Sequence, residues 1–423
     1  MRRIGLSVVS AMVLMSAASV GANANALENI ISNPKVNLEI RPRYEYANVK
    51  NNGAKTAKAF TVRTALGFNT QLFGIDGLGA QLQMINVANF GWIDKYAPER
   101  SGYDIVADGS QTRVTQANIS YTNKELGLTA IAGRKMVVLD NARFIGNVGW
   151  RQMPQTYDLY ALVYSGIPNL NLLGAYVTRV HRIFNSDSNP NPFKRTEFDT
   201  GSVLLHASYK FMPELTVTAY DYMIENLMDH IGIRLTGQVN VNDVKFKYAA
   251  EYAKQDDPSL DDKDDPGYSA TRKQDSDYYN VNIAAMYNGF IGGLGYEVLG
   301  DKGNGDMPFS TPLATLHAMN GWADVFLATP NEGLKDFTVK LGYNFGAYGK
   351  LIGIYHDFKS DKKNSAGDDD LGSEIDVAYK YKVNKNLGLL LKYADYNKGD
   401  NSFGKKDTTK YWIQLDYKFS ASL

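Results

Sequence analysis

The sequence predicts an all-β fold: a transmembrane antiparallel β-barrel of eighteen strands, preceded by a cleaved N-terminal signal peptide. Three observations predict it. Segments of strand length with period-two polarity recur from about Val36 to the end of the chain. The gaps between them are alternately short and long, as tight periplasmic turns and extended external loops require of an outer-membrane barrel. The first residues have the make-up of a secretory leader.

In the leader, Arg2 and Arg3 precede an apolar stretch over residues 5–20, and Ala22-Asn23-Ala24 or Ala24-Asn25-Ala26 offers a small-residue cleavage site. The apolar stretch falls short of the roughly 20 residues a spanning helix needs. Residues 1–26 are therefore assigned to the signal peptide and 27–423 to one barrel domain, because no linker interrupts the strand pattern. Zero cysteine excludes disulfides and thiolate chemistry, and a balanced formal charge argues against nucleic acid as a partner.

The strands present two faces. In the first, Val36, Leu38, Ile40, Tyr44 and Tyr46 alternate with Glu39, Arg41, Arg43 and Glu45. The second sets Phe60, Val62, Leu66, Phe68 and Leu72 outward and Thr61, Arg63, Asn69 and Gln71 inward. Later strands repeat the theme, with Val244, Phe246, Tyr248 and Tyr252 against Lys245, Lys247 and Glu251. The last alternates Tyr411, Ile413, Leu415, Tyr417 and Phe419 with Trp412, Gln414, Asp416 and Lys418. Tyr46, Tyr252, Tyr343, Tyr381 and Tyr396 are expected in interfacial girdles. Period-two alternation alone also fits a soluble sandwich or propeller. The leader, the even strand count and the one-sided loop lengths favour the membrane barrel.

Two loops are too apolar to hang in water. In the loop near 135–154, Phe144, Ile145, Val148 and Trp150 sit among Asn141, Arg143, Asn147 and Arg151. The loop near 302–335 carries Thr311, Leu313, His317, Trp322, Asp324 and Phe326, with a helical turn expected from Thr311 or Pro312. Both are expected to fold into the barrel mouth and narrow it; the alternative is a cap packed on its neighbours.

Strand phase points Arg41, Arg43, Arg63, Arg134, Arg179, Arg234, Lys245, Lys247, Lys340, Lys380, Lys392, Lys410 and Lys418 inward. Against these thirteen stand seven acidic residues, Glu39, Glu45, Glu251, Glu297, Glu374, Asp376 and Asp416. Arg143 and Arg151 add to the basic side at the constriction. Rings of Arg or Lys favour anions, although salt-bridged pairs that only brace the wall are the competing account. External loops lean acidic, with Asp256, Asp257, Asp261, Asp262, Asp264, Asp265, Asp275 and Asp277 in one of them. Asp262, Asp264 and Gly267 fall at EF-hand spacing, but Pro266 and Lys273 stand where ligands belong, so no metal site is assigned. The expectation is instead a solvated acidic loop that bridges to lipopolysaccharide through divalent ions.

No G-x-S-x-G or H-E-x-x-H motif occurs, and Ser360 with Lys363 matches S-x-x-K without its companion motifs. No catalytic residue, cofactor or metal is expected, and the chain reads as a non-enzyme.

The strings GRKMVVLDNARFIGNVGWRQMPQTYD and FSTPLATLHAMNGWADVFLATPNEGLKDFTVKLGY, with IRPRYEY and AFTVRTALGF, resemble the alginate-export family of outer-membrane barrels. The resemblance runs over nearly the whole mature chain. It implies an eighteen-stranded, monomeric barrel in a Gram-negative outer membrane, and an arginine-rich lumen for passing a polyuronate. The sequence thus leads to a passive, anion-favouring channel for small or oligomeric solutes, acidic saccharides such as alginate or uronates among them. A general, weakly selective porin and a structural or adhesive barrel with an occluded pore remain alternatives.

Overall fold

The computed structural model describes residues 30–185, 196–263 and 273–422. The leader, the EF-hand-spaced Asp264 and Gly267, and Leu423 lie outside the described residues. Eighteen strands form one closed antiparallel barrel. In chain order they are β1 (Ile31–Val49), β2 (Ala57–Leu72), β3 (Leu78–Ala88), β4 (Gln111–Asn123), β5 (Leu128–Lys135) and β6 (Thr156–Tyr164). Then come β7 (Leu170–His181), β8 (Glu197–Met212), β9 (Leu215–Ile224), β10 (Met228–Val241), β11 (Val244–Asp256) and β12 (Asp275–Tyr287). The circuit ends with β13 (Phe290–Leu299), β14 (Leu334–Asn344), β15 (Lys350–Lys359), β16 (Asp370–Lys382), β17 (Leu387–Lys398) and β18 (Thr408–Ser422). A two-residue strand, Asp94–Lys95, adds to β2 from the long loop after β3.

Each strand pairs with its neighbours in sequence, and β1 closes on β18 with Leu38 opposite Phe419 and Tyr46 opposite Tyr411. Closure leaves no strand edge to satisfy in lipid, which is why only such a sheet can span a membrane. The residues after Phe419 continue the ladder, Ala421 pairing with Val36.

The outer wall is an apolar belt of exposed side chains, Leu162, Ile231, Val281, Leu341 and Ile375 among them. Aromatic pairs flank it. Tyr46 stacks on Tyr411 with centroids 4.5 Å apart, and Tyr252 lies 5.3 Å from Tyr279. Near the short turns Phe290 meets Tyr343 edge-on at 4.6 Å. Tyr396 was expected in a girdle, but it is fully buried inside, against Phe326 and Phe358. Its phase follows Lys392 and Ala394, which are inward and buried, while Leu391 and Tyr393 are exposed.

The hydrophobic core lies inside the barrel. Phe144, Ile145, Phe309, Leu313, Ala323 and Phe326 of the two long loops pack on inward Tyr157, Tyr220, Tyr222, Tyr278, Tyr396 and Trp412. The helical turn of the second loop is a single 3-10 turn, Leu316–Ala318, beginning later than Thr311 or Pro312. Thr311 instead starts the tight turn whose carbonyl accepts the Ala314 N–H at 3.2 Å.

Candidate functional site

The two infolded loops, residues 136–155 and 300–333, are joined to each other before they meet the wall. The Gly146 N–H donates to the Leu313 carbonyl and the Thr315 N–H to the Ala142 carbonyl, both at 2.9 Å. The Thr315 hydroxyl accepts the Val148 N–H at 3.0 Å. A Cβ on Gly146 would stand 2.3 Å from that hydroxyl, so this approach requires glycine. Ala142 and Val148 hold φ of 63° and 48°. Such backbone costs about 1–3 kcal/mol per residue and persists only where surrounding contacts impose it. Asn141 and Asn147 shape the same loop, accepting the Arg143 and Gly149 N–H groups at 3.2 and 3.0 Å. Phe144 anchors it in a pocket of Tyr220, Tyr278 and Phe309, with centroids 5.1 to 6.0 Å away.

Charged groups then fix the loops to the wall. Arg43, buried on β1, pairs with Asp108 at 3.2 Å and lies 4.2 Å over the Trp150 ring. Arg151 reaches Glu45 at 3.1 Å and Asp324 at 2.9 Å. Burial opposes its charge, yet Glu45, Asp324 and Asp108 together raise its pKa above the ordinary guanidinium value. Lys410 donates to Asp324 at 2.8 Å. Lys392 sits 4.2 Å from the Trp150 ring and 3.7 Å from Trp322, and its Nζ donates to His317 Nε2 at 2.6 Å. His317 in turn faces Asp324 through Nδ1 at 2.6 Å and stacks on Trp150 at 4.5 Å.

A neutral His317 carrying its proton on Nδ1 accepts from Lys392 and donates to Asp324, satisfying the whole chain. Burial pushes its pKa well below the ordinary imidazole value, with Lys392 reinforcing and Asp324 opposing. Burial alone would raise Asp324; its donors His317, Lys410 and Arg151 outweigh that and hold it ionised.

The second anchor is Arg143, buried and 3.1 Å from both Glu297 and Asn320. Backbone N–H groups of Trp322 and Ala323 donate to Asp376 at 3.1 Å and Glu374 at 2.7 Å. Gly321, at φ 80°, allows this descent, since a Cβ there would stand 2.4 Å from the Glu374 carboxylate.

The sequence-derived arginines thus separate into three groups. Arg43, Arg143 and Arg151 meet at the infolded loops, paired and buried. Arg41, Arg63 and Arg234 face inward, tied to Asp416, Glu39 and Glu251 respectively. Arg134 and Arg179 face outward, contrary to their expected phase. Arg134 pairs across from Asp158, which lies between Tyr157 and Leu159. Tyr157 points inward, since its hydroxyl donates to the Gly146 carbonyl of the infolded loop at 2.8 Å. Asp158 and Arg134 therefore occupy the outer face. A bulge at Thr178 sets Arg179 opposite Asp158 on that same face, where Arg179 meets Asp199 at 2.5 Å.

Below the constriction, Lys245, Lys247, Lys340, Lys380 and Lys418 lie on inward positions near the short turns, and no salt bridge among the described residues engages any of them. Sequence reasoning missed Asp108, which sits in the long loop after β3 and is buried between Arg43 and Arg151. No period marks a loop carboxylate, so nothing in the sequence signalled it. Lys350 and Lys382 were also missed, although the phases of Leu351 and Tyr381 mark both as inward.

No protein-family profile and no curated protein matches the sequence. In three dimensions the chain is similar to OccAB4 of Acinetobacter baumannii, with TM-score 0.69 and 14% identity over 93% of this chain and 100% of that one. It is similarly close to OccK8 (OprE) of Pseudomonas aeruginosa, with TM-score 0.68 and 16% identity over the same shares. OpdK of Pseudomonas aeruginosa, crystallised with vanillate, gives TM-score 0.67 and 16% identity over 93% and 100%. The fold is that of outer-membrane porins, and these neighbours are of the Occ/Opd group, not alginate exporters.

Proposed function

We propose that the chain is an outer-membrane channel for passive passage of small anionic solutes, with carboxylates and acidic saccharides as the leading class. The observation that carries this reading is the imbalance of unpaired charge on the inward wall. The acidic residues Glu39, Glu45, Glu251, Glu297 and Asp416 are each engaged by arginine, while Asp336 and Asp376 meet His356 and Glu374 accepts the Ala323 N–H. Lys245, Lys247, Lys340 and Lys380 form no salt bridge with a carboxylate among the described residues, whereas Lys418 stands opposite Glu39 and interacts with Asp416. Unpaired cations in a narrow passage attract anions and repel cations. The vanillate-bound neighbour is a carboxylate-binding precedent in the same fold, and the resemblance to alginate exporters adds uronates as the specific candidate. Solute moves down its gradient past many weak sites, with no covalent step.

A second reading is favoured by the burial of Arg43, Arg151 and Trp412 between the loops and the wall. It is a structural or adhesive barrel with an occluded pore. Planar-bilayer recordings under a salt gradient, with and without uronate oligomers, separate these. Anion-selective reversal potential with oligomer block supports the channel. Cation preference overturns it, and absence of conductance selects the occluded barrel.

A further inference from the structure

Four lysines form a like-charged cluster on neighbouring strands of the lumen wall. Lys350 on β15 stands directly opposite Lys380 on β16. Lys382 shares the face of Lys380 two residues on, and Lys340 on β14 interacts electrostatically with Lys350. All four are inward, because Leu341, Leu351 and Val383, which alternate with them, are exposed. Directly opposed like charges destabilise a strand pair. The wall nevertheless places Asn344, Ile352, Ile354, Ala378 and Leu390 beside them, and no carboxylate stands directly opposite any of the four. Lys245 and Lys247 add two cations near the turn at residues 242–243.

The cluster lies on the short-turn side of the constriction, which in this fold is the periplasmic side. The external side is different in sign: Asp257, Asp261 and Asp262 lie in the long loop after β11, with Asp256 and Asp275 at the strand ends beside it. We infer that the periplasmic vestibule is a one-sided capture site for anions of two or more charges, held between Lys350 and Lys380 with Lys340 and Lys382 in support. This deepens the anion-channel reading and rests on it. A divalent or trivalent anion relieves the repulsion of several ammonium groups at once, whereas a monovalent one neutralises a single group. Lysine ammonium carries no planar fork, so phosphate and carboxylate are served alike.

The test is side-specific block of single channels in planar bilayers. Orientation is fixed by biotin on Ser365→Cys, an exposed external residue in a chain without cysteine. Citrate, pyrophosphate and acetate are then added to each side in turn. Expected is half-block by citrate at about tenfold lower concentration from the periplasmic side, and loss of that difference in a Lys350→Gln/Lys380→Gln double variant. Comparing citrate with pyrophosphate distinguishes a carboxylate source from a phosphate source, and block by either supports the site. Heat-modifiable migration on gels shows that the variant is folded. Equal block from both sides, block by acetate as strong as by citrate, or an undiminished difference in the variant overturns the inference. Cation selectivity of the unmodified channel overturns the anion-channel reading itself, so the two failures are distinct.

Discussion

Asp324 is the shared acceptor of the constriction, and Asp324→Asn tests whether that cluster sets ion preference. Asparagine keeps the size of the side chain and tolerates the left-handed backbone, here at φ 61°. Asp324 is reached by Arg151 at 2.9 Å and by Lys410 at 2.8 Å, and it lies in the same cluster as Glu45 and Asp108. The substitution removes one negative charge from this cluster and so shifts the local balance by one unit toward positive. A monovalent ion passing about 5 Å away in water-like dielectric gains or loses about 0.8 kcal/mol per unit charge, about fourfold in permeability. Reversal potentials should therefore shift toward anions by that order. The same change leaves Arg151 and Lys410 short of an acceptor, and breaking a buried pair from one side costs about 3–5 kcal/mol. Thermal unfolding in detergent should register that loss. A folded variant with unchanged reversal potential would show that ions do not pass this cluster, and the reasoning would fall.

Acid should loosen the same latch. The depressed pKa of His317 contributes stability that is present above its ordinary value of 6.5 and lost as pH falls below it. Asp324, also depressed, adds a further loss below 3.8. Unfolding temperature should thus fall between pH 7.5 and pH 5, and His317→Gln should flatten that dependence; an equally steep variant refutes the assignment. Arg143→Ala and Arg151→Ala should each weaken anion preference, by about fourfold where the ion passes within 5 Å, and reversal potential reads both. Arg134→Gln and Arg179→Gln should leave reversal potential unchanged, because both side chains lie on the outer face; a shift for either returns it to the lumen.

The strands and their turns were legible because a period of two is a direct record of a wall with lipid on one side. Gaps such as residues 288–289 and 383–386 are short because the turns they make are short. Phase failed where a bulge intervened. Thr178 is the extra residue on β7, and counting through it assigns Arg179 to the wrong face. Arg134 failed for a different reason: β5 has only eight residues and Gly133 and Ala132 carry little polarity, so its alternation is too weak to fix. The infolding of the two loops was legible from composition, since aromatic side chains placed in water between charged neighbours have nothing to bury against. Their partners were not, because Asp108 and Gln152 meet Arg43 and Thr61 across more than sixty residues of chain.

The arginines expected to line an open path mostly brace the structure, and this follows from where the core lies. A barrel of eighteen strands is too wide for inward side chains alone to fill. Loops must enter, and their ends must be held against a polar wall. Arginine meets that need, because its planar fork can serve two acceptors together. Arg151 reaches two carboxylates at once, one from the wall and one from the second loop. Lysine is left for the vestibule, where Lys340, Lys350 and Lys380 have no carboxylate to hold them. Architecture thus falls to the arginines, and the vestibule lysines are free of it. Mutating the arginines disturbs both fold and ion preference, whereas mutating the vestibule lysines isolates the second.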